Sequence, residues 1–122
     1  MPRNMSFSKT TPQVRARTKT VTRRTGWWFL KPGEIVNAIE KGQGFKKGEE
    51  VVVICQIRIV STRPEPLSRL IKDTAYGFGE TTKEGFKDHP ELQWPGVFAE
   101  FFCALNGCEL DTEVNRIEFE YV

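Results

Sequence analysis

Acidic residues are missing from the first 33 positions, histidine occurs once, as His89, and cysteine three times, as Cys55, Cys103 and Cys108. Each shortage excludes something. There is no Cys-x-x-Cys spacing, and a zinc site would have to borrow carboxylates, so no metal and no cofactor is expected. An odd number of cysteines points to a reducing compartment rather than to a disulfide framework. No apolar run approaches the roughly 20 residues that cross a bilayer, so no membrane partner is expected. The opening Met1-Pro2-Arg3-Asn4-Met5 is basic, but no apolar stretch follows it, which argues against a secretory signal. Internal repeats and low-complexity tracts are also absent. The expectation is one soluble, cytoplasmic domain, because a chain of 122 residues suffices for a single core.

What is present is positive charge, unevenly placed. Residues 1–33 hold eight Lys and Arg, and residues 34–122 hold ten against sixteen Asp and Glu, a split of +8 against −6. Such a localised field draws anionic partners and raises their encounter rate. The alternative is that the acidic remainder folds back and neutralises it.

Hydrophobic patterning gives the elements. Met5 to Ser8 alternates as a short strand. Thr10-Thr11-Pro12 reads as a helix start, with the helix running to Thr18. Lys19 to Arg24 reads as a loop entering a β-branched strand. Glu34 to Glu40 reads as a strand, and Glu50 to Thr62 as the longest one, with Val51, Val53, Cys55, Ile57 and Ile59 on one face. Pro66 to Lys72 reads as helix, with Leu67, Leu70 and Ile71 apolar. Asp73 to Pro95 is irregular, apart from a short helix over Thr81 to Phe86. Gly96 to Asn106 is the clearest helix, with a stripe of Val97, Phe98, Phe101, Phe102 and Leu105 and Gly107 as its cap. Glu113 to Val122 is the last strand, with Ile117, Phe119 and Tyr121 facing in. Four to six strands with helices among them predict an α+β fold closing into a small β-barrel or strongly bent sheet.

Three segments carry candidate chemistry. Gly42-x-Gly44-x-x-x-Gly48 has a strand after it, not the helix a phosphate loop requires, and reads as a hairpin connection. Trp27 and Trp28 offer rings that either stack on a base or pack in the core. The segment from Arg15 to Arg24 places four arginines, one lysine and three threonines within ten residues. Arginine matches phosphate and carboxylate bidentately. A lysine among arginines has its pKa lowered, and a lowered lysine can act as a base toward a hydroxyl. In a regular strand Lys19 and Thr22 would face opposite ways, so a joint role needs a loop or bulge between them, and Thr20 is an equally placed hydroxyl. The same segment also reads as a solvated basic junction, and Thr81-x-x-Glu84 as a capping box.

Lys19-x-x-Thr22-x-Arg24 after a short Pro-started helix resembles the signature of the ASCH family, a branch of the PUA-like barrels. Trp28-x-x-Lys31-Pro32-Gly33-Glu34, Gly44-x-x-x-Gly48, Arg63-x-Glu65-Pro66-Leu67, Glu84-Gly85-Phe86 and the closing strand agree with it. The resemblance covers nearly the whole chain and implies one PUA-like domain over residues 1–122, binding RNA or a modified nucleoside in a basic cleft. It further implies, for the type that hydrolyses N4-acetylcytidine, a catalytic Lys19, Thr22 and Glu84, with Arg17, Thr20, Arg23, Arg24 and Trp28 as ligand-binding candidates. The family motif usually has glycine two residues before the lysine, where this chain has Arg17. Two further readings stand beside the amidohydrolase: a non-catalytic RNA-binding module, and a protein-interaction domain using the basic segment on an acidic partner.

Overall fold

The computed structural model describes residues 2–122. Five strands form one curled sheet: β1 (Arg3–Ser6), β2 (Val21–Arg24), β3 (Ile35–Ile39), β4 (Val53–Pro66) and β5 (Glu113–Tyr121). Helix α1 (Thr11–Arg15) joins β1 to β2. Helices α2 (Ser68–Lys72), α3 (Thr74–Thr81) and α4 (Pro95–Asn106) lie between β4 and β5, with a π-helical turn over Thr82–Phe86. The strand order is β1-β3-β4-β5-β2; β1 and β3 run parallel and every other pair antiparallel. The expected α+β class and bent sheet are therefore observed.

The 14-residue β4 is the spine. Its first part pairs with β3, and its length pairs with β5 through a register shift between Ile59 and Ser61. A bulge of this kind bends a strand and increases its twist, so the sheet curls over its own inner face. The two edge strands, β1 and β2, come close enough for one side chain to join them: Arg24 Nη2 donates to Ser6 O over 2.7 Å. That seam positions the site.

Two apolar clusters form. The first fills the curl with Met5, Phe7, Val14, Leu30, Val36, Ala38, Ile57, Ile59, Ile117 and Phe119. The second lies under the helices and includes Leu67, Leu70, Phe86, Phe98, Phe102 and Val114. Because helices cover the outer face of β5 at its start, Val114, Asn115, Arg116 and Ile117 are buried in succession and the strict alternation of a one-sided strand is lost there.

Several expectations need correction. The longest strand begins at Val53 and extends to Pro66, and Val51 and Val53 are exposed because the sheet does not cover that end. Ile71 is likewise exposed. The segment from Asp73, expected to be irregular, starts with helix α3, whose N-cap Asp73 accepts from the Tyr76 amide. The Gly-rich connection between β3 and β4 is a loop between antiparallel partners, as expected.

Cys55, Cys103 and Cys108 are free thiols. Cys103 and Cys108 lie 3.8 Å apart at the end of α4, and burial, then the hydrogen bond shared with Cys108 that favours the protonated thiol, pushes Cys103 up to about 11. The thiolate is the reactive form, so Cys103 is expected to alkylate slowly with iodoacetamide at pH 7 in the folded protein and quickly in urea. Mass mapping of the labelled protein reads the difference.

Candidate active site at the sheet seam

Lys19 sits in the connection before β2, held at three points along its backbone. Tyr121 Oη donates to Lys19 O over 2.6 Å, Thr20 N donates to Lys83 O over 2.8 Å, and Phe119 N donates to Thr20 O over 2.9 Å. This non-strand stretch resolves the facing problem. Lys19 precedes the regular strand, and Lys19 and Thr22 line the same cleft.

Glu84 reaches them from the other side of the chain. The turn that carries it is not a regular helix: Gly85 has φ 99°, in the left-handed region that favours glycine. A Cβ there would stand 2.8 Å from Gln13 Cβ and 3.4 Å from Lys19 Cβ. The bare backbone of Gly85 thus lets the turn pack against α1 and the Lys19 segment. Lys19 Nζ donates to Glu84 Oε1 over 2.8 Å and to Glu84 O over 2.9 Å. The expected capping box does not form, since the Glu84 carboxylate is used here and Thr81 donates to Phe78 O and Gln93 O. Gly85→Ala is expected to cost about 1–3 kcal/mol through strain at this φ. It is also expected to lower turnover, because the clash pushes Glu84 away from Lys19. Urea unfolding beside a turnover assay separates the two effects.

Behind the cleft the charges continue into the protein. Arg23 Nη1 donates to Glu84 Oε2 over 2.8 Å; its Nη2 donates to Glu65 Oε1 over 2.8 Å and to Glu80 Oε1 over 2.6 Å. Arg116 binds Glu80 twice, through Nε and through Nη2. Lys19, Arg23, Arg116, Glu65, Glu80 and Glu84 are all buried, giving three cations against three carboxylates. Each charge alone would be costly to desolvate, and pairing offsets that cost. Burial alone would raise the Glu80 carboxyl, but the hydrogen bonds and charge of Arg116 and Arg23 outweigh it and hold the pKa at about 2. Glu65 is also held low: burial opposes, and bonds from Arg23 and Tyr76 prevail.

These shifts give a pH dependence. A carboxylate whose pKa is depressed on folding stabilises the fold above its unfolded value, 4.5 for Glu80, and that contribution disappears as pH falls toward the folded value. The urea midpoint is expected to fall steeply between pH 4.5 and about 2, and Glu80→Gln is expected to flatten that fall.

Lys19 behaves in the opposite sense. Its burial lowers its pKa; Glu84 pulls it back up, and the net position stays below the ordinary 10.5. Arg24 is pushed down to about 10 by burial, only partly opposed by Glu84. Its Nε donates to Thr22 Oγ1 over 3.1 Å and its Nη2 to Ser6 O, and no carboxylate among the described residues forms an ion pair with it.

The cleft itself measures about 340 Å³. Its polar wall includes Lys19, Thr22, Arg24, Glu84 and Asn106, and its apolar wall is Phe86 with Phe98, Phe101, Phe102 and Leu105 of α4. Of the five α4 residues read as one stripe, Phe98 and Phe102 are buried, whereas Val97, Phe101 and Leu105 remain exposed, and Phe101 and Leu105 border the cleft. A helix apolar over so wide an arc serves the core on one side and the cleft on the other.

The structure brings Lys19, Thr22, Glu84, Arg23 and Arg24 together. It does not bring the other candidates. Thr20 contributes backbone only, Arg17 is exposed with its guanidinium 5.4 Å from the Tyr121 ring centre, and Trp28 is half exposed away from the cleft. Arg23, expected to meet a ligand, has both terminal nitrogens committed to carboxylates. The basic segment is therefore not one surface: Arg15 and Arg17 face solvent, while Lys19, Thr22 and Arg23 are interior. Sequence reasoning missed Glu80, Arg116 and the role of Glu65, whose local patterns look like solvated charges. Comparison of the chain with protein-family models, with curated proteins and with solved structures finds no match.

Proposed function

We propose that the protein is an ASCH-type, PUA-like amidohydrolase that removes the acyl group from an N-acylated cytidine, with Lys19 as base, Thr22 as nucleophile and Glu84 holding the lysine. The observation that carries this reading is the convergence of Lys19, Thr22 and Glu84 on one cleft from segments 65 residues apart. A second observation supports it. Arg17, where the resemblance expects glycine, has φ 60°, a conformation glycine adopts without strain.

The hydrogen bonds fit the chemistry. A neutral lysine has two N–H groups, and Glu84 accepts from Nζ at two oxygens, which leaves the lone pair as the remaining valence. Arg24 donates to the Thr22 oxygen, so the threonine hydroxyl keeps its own proton, which in the reaction would pass to the lysine lone pair within the cleft that both side chains line. Proton transfer to Lys19 then releases the Thr22 oxygen to attack the amide carbon, and the Arg24 cation beside it stabilises the oxyanion. Collapse breaks the C–N bond, and the Lys19 ammonium returns its proton to the departing exocyclic amine. Water, deprotonated by the same lysine, hydrolyses the acyl-threonine and yields the carboxylic acid and cytidine. The phenylalanine wall of α4 provides the apolar surface for a planar base and its acyl group.

Incubation of the purified protein with N4-acetylcytidine tests the reading by chromatography. Cytidine and acetate in equal amounts are expected. Their absence across pH 6–10, together with no binding of the nucleoside, removes the proposal.

A further inference from the structure

Arg24 and Asn106 stand in the wall of the cleft and also in the wall of a second, more open groove of about 460 Å³, completed by Thr25, Gly26, Trp27 and Phe29. None of these residues is acidic. Trp27 has φ 63°, a conformation rare for a bulky side chain and retained only where the surroundings enforce it. Here they do: Asn115 Nδ2 donates to Gly26 O over 3.2 Å and to Trp27 O over 3.0 Å from the buried start of β5. The enforced turn sets the indole against the Phe29 ring, with centres 5.4 Å apart, and Phe29 is half exposed. On the far side the Arg3 guanidinium lies 4.4 Å from the Phe29 ring centre. The groove thus has an aromatic floor beside one guanidinium group, that of Arg24, which lacks a carboxylate partner among the described residues.

We propose that this groove is a second subsite that holds a nucleotide joined by a phosphodiester to the nucleoside in the cleft. The bridging phosphate lies on Arg24 and the neighbouring base stacks on Trp27 and Phe29. The substrate is then a short single strand carrying the acylated cytidine, rather than the free nucleoside alone. The inference rests on the cleft reading above and deepens it. Stacking on aromatics tolerates any base, because every base has a π-face, and the phosphate supplies the charge that the groove lacks.

The test uses tryptophan fluorescence with two ligands that need no hydrolysis, cytidine and the adenylyl-cytidine dinucleotide. The dinucleotide is expected to bind at least about tenfold more tightly, and Phe29→Ala or Trp27→Ala to remove most of that gain while leaving cytidine affinity unchanged. The gain is expected to shrink as salt rises, as a phosphate contact requires. Phe29→Ala is the safer variant, because that ring is half exposed and Trp27 packs on the core. Equal affinity for the two ligands overturns the subsite, as does a gain that survives Phe29→Ala. Tighter binding of an acidic peptide than of the dinucleotide also overturns it, in favour of a protein partner. Hydrolysis without the gain defeats the subsite alone; the gain without hydrolysis defeats the chemistry alone.

Discussion

Lys19→Met is expected to lower kcat/KM on N4-acetylcytidine by about 10³-fold, within the range associated with a positioned general base. The variant keeps an unbranched apolar stem as far as Cε, with sulfur in place of Cδ, and removes the amine. Glu84 retains its bond from Arg23, so the carboxylate is not left alone and the fold is expected to persist. The pH profile gives a second readout that a structural role would not move. Wild-type activity is expected to rise with pH as Lys19 loses its proton, and the rise is expected to lie below 10.5 because burial lowers this lysine. In Lys19→Met that limb disappears. An unchanged ascending limb in the variant assigns the base to another group. A near-normal rate removes Lys19 from the chemistry.

The largest expected effect on stability belongs to Arg23. Its two terminal nitrogens bind Glu65, Glu80 and Glu84, and among the described residues no other side chain bridges the β4 end, α3 and the π-helical turn in this way. Arg23→Met leaves the remaining buried pairs with one carboxylate in excess. Breaking a buried ion pair from one side costs about 3–5 kcal/mol, a large share of the roughly 5–15 kcal/mol that holds a domain together. The thermal midpoint is expected to fall by more than about 10 °C. The loss is expected to be smaller at acid pH, where the orphaned carboxylate can take a proton. Calorimetry at pH 7 and pH 4 reads both quantities. A change within about 1 °C at pH 7 would mean that water reaches the network and screens it.

The sequence carried the strands well wherever one face of the sheet met solvent. β3 and β5 follow from alternation, β2 from its β-branched residues, and α4 from its apolar spacing with Gly107 at φ 66° closing it. Alternation fails at Val114 to Ile117 because helices bury the second face there, a tertiary fact that local pattern does not contain. Helix α3 was hidden for a related reason. Its sequence, Thr74 to Thr81, includes two glycines and little apolar periodicity, and Gly77 is there because a Cβ would collide with Leu70 O and Pro95. The close approach of three helices, not propensity, fixes that glycine.

The site was legible in part. The lysine, threonine and glutamate that the resemblance singled out line one cleft, while the arginines divide into roles that spacing cannot separate. Arg23 turns inward toward carboxylates scattered over 42, 57 and 61 residues of separation, and Arg24 turns toward the cleft. Both border the cleft, but adjacent strand residues face opposite ways, so only one of the two guanidinium groups could take the buried carboxylates, and nothing local says which. Trp27 and Trp28 divide in the same manner. The left-handed turn at Trp27 sends its ring to the groove beside Arg24 and leaves Trp28 in solvent.

Thr22 offers the most direct test of the site as a catalytic unit, because it lies outside the buried ion network and can be changed at constant shape. Thr22→Val replaces one hydroxyl by a methyl group and leaves every bond among Lys19, Glu84 and Arg23 in place. The measurement is the release of cytidine from N4-acetylcytidine by wild type and by Thr22→Val, with thermal midpoints recorded for both. A wild type that turns over and a folded Thr22→Val that does not is the result expected of a threonine nucleophile. Equal turnover by the two proteins would contradict it, and the lysine and glutamate would then be members of a structural ion network.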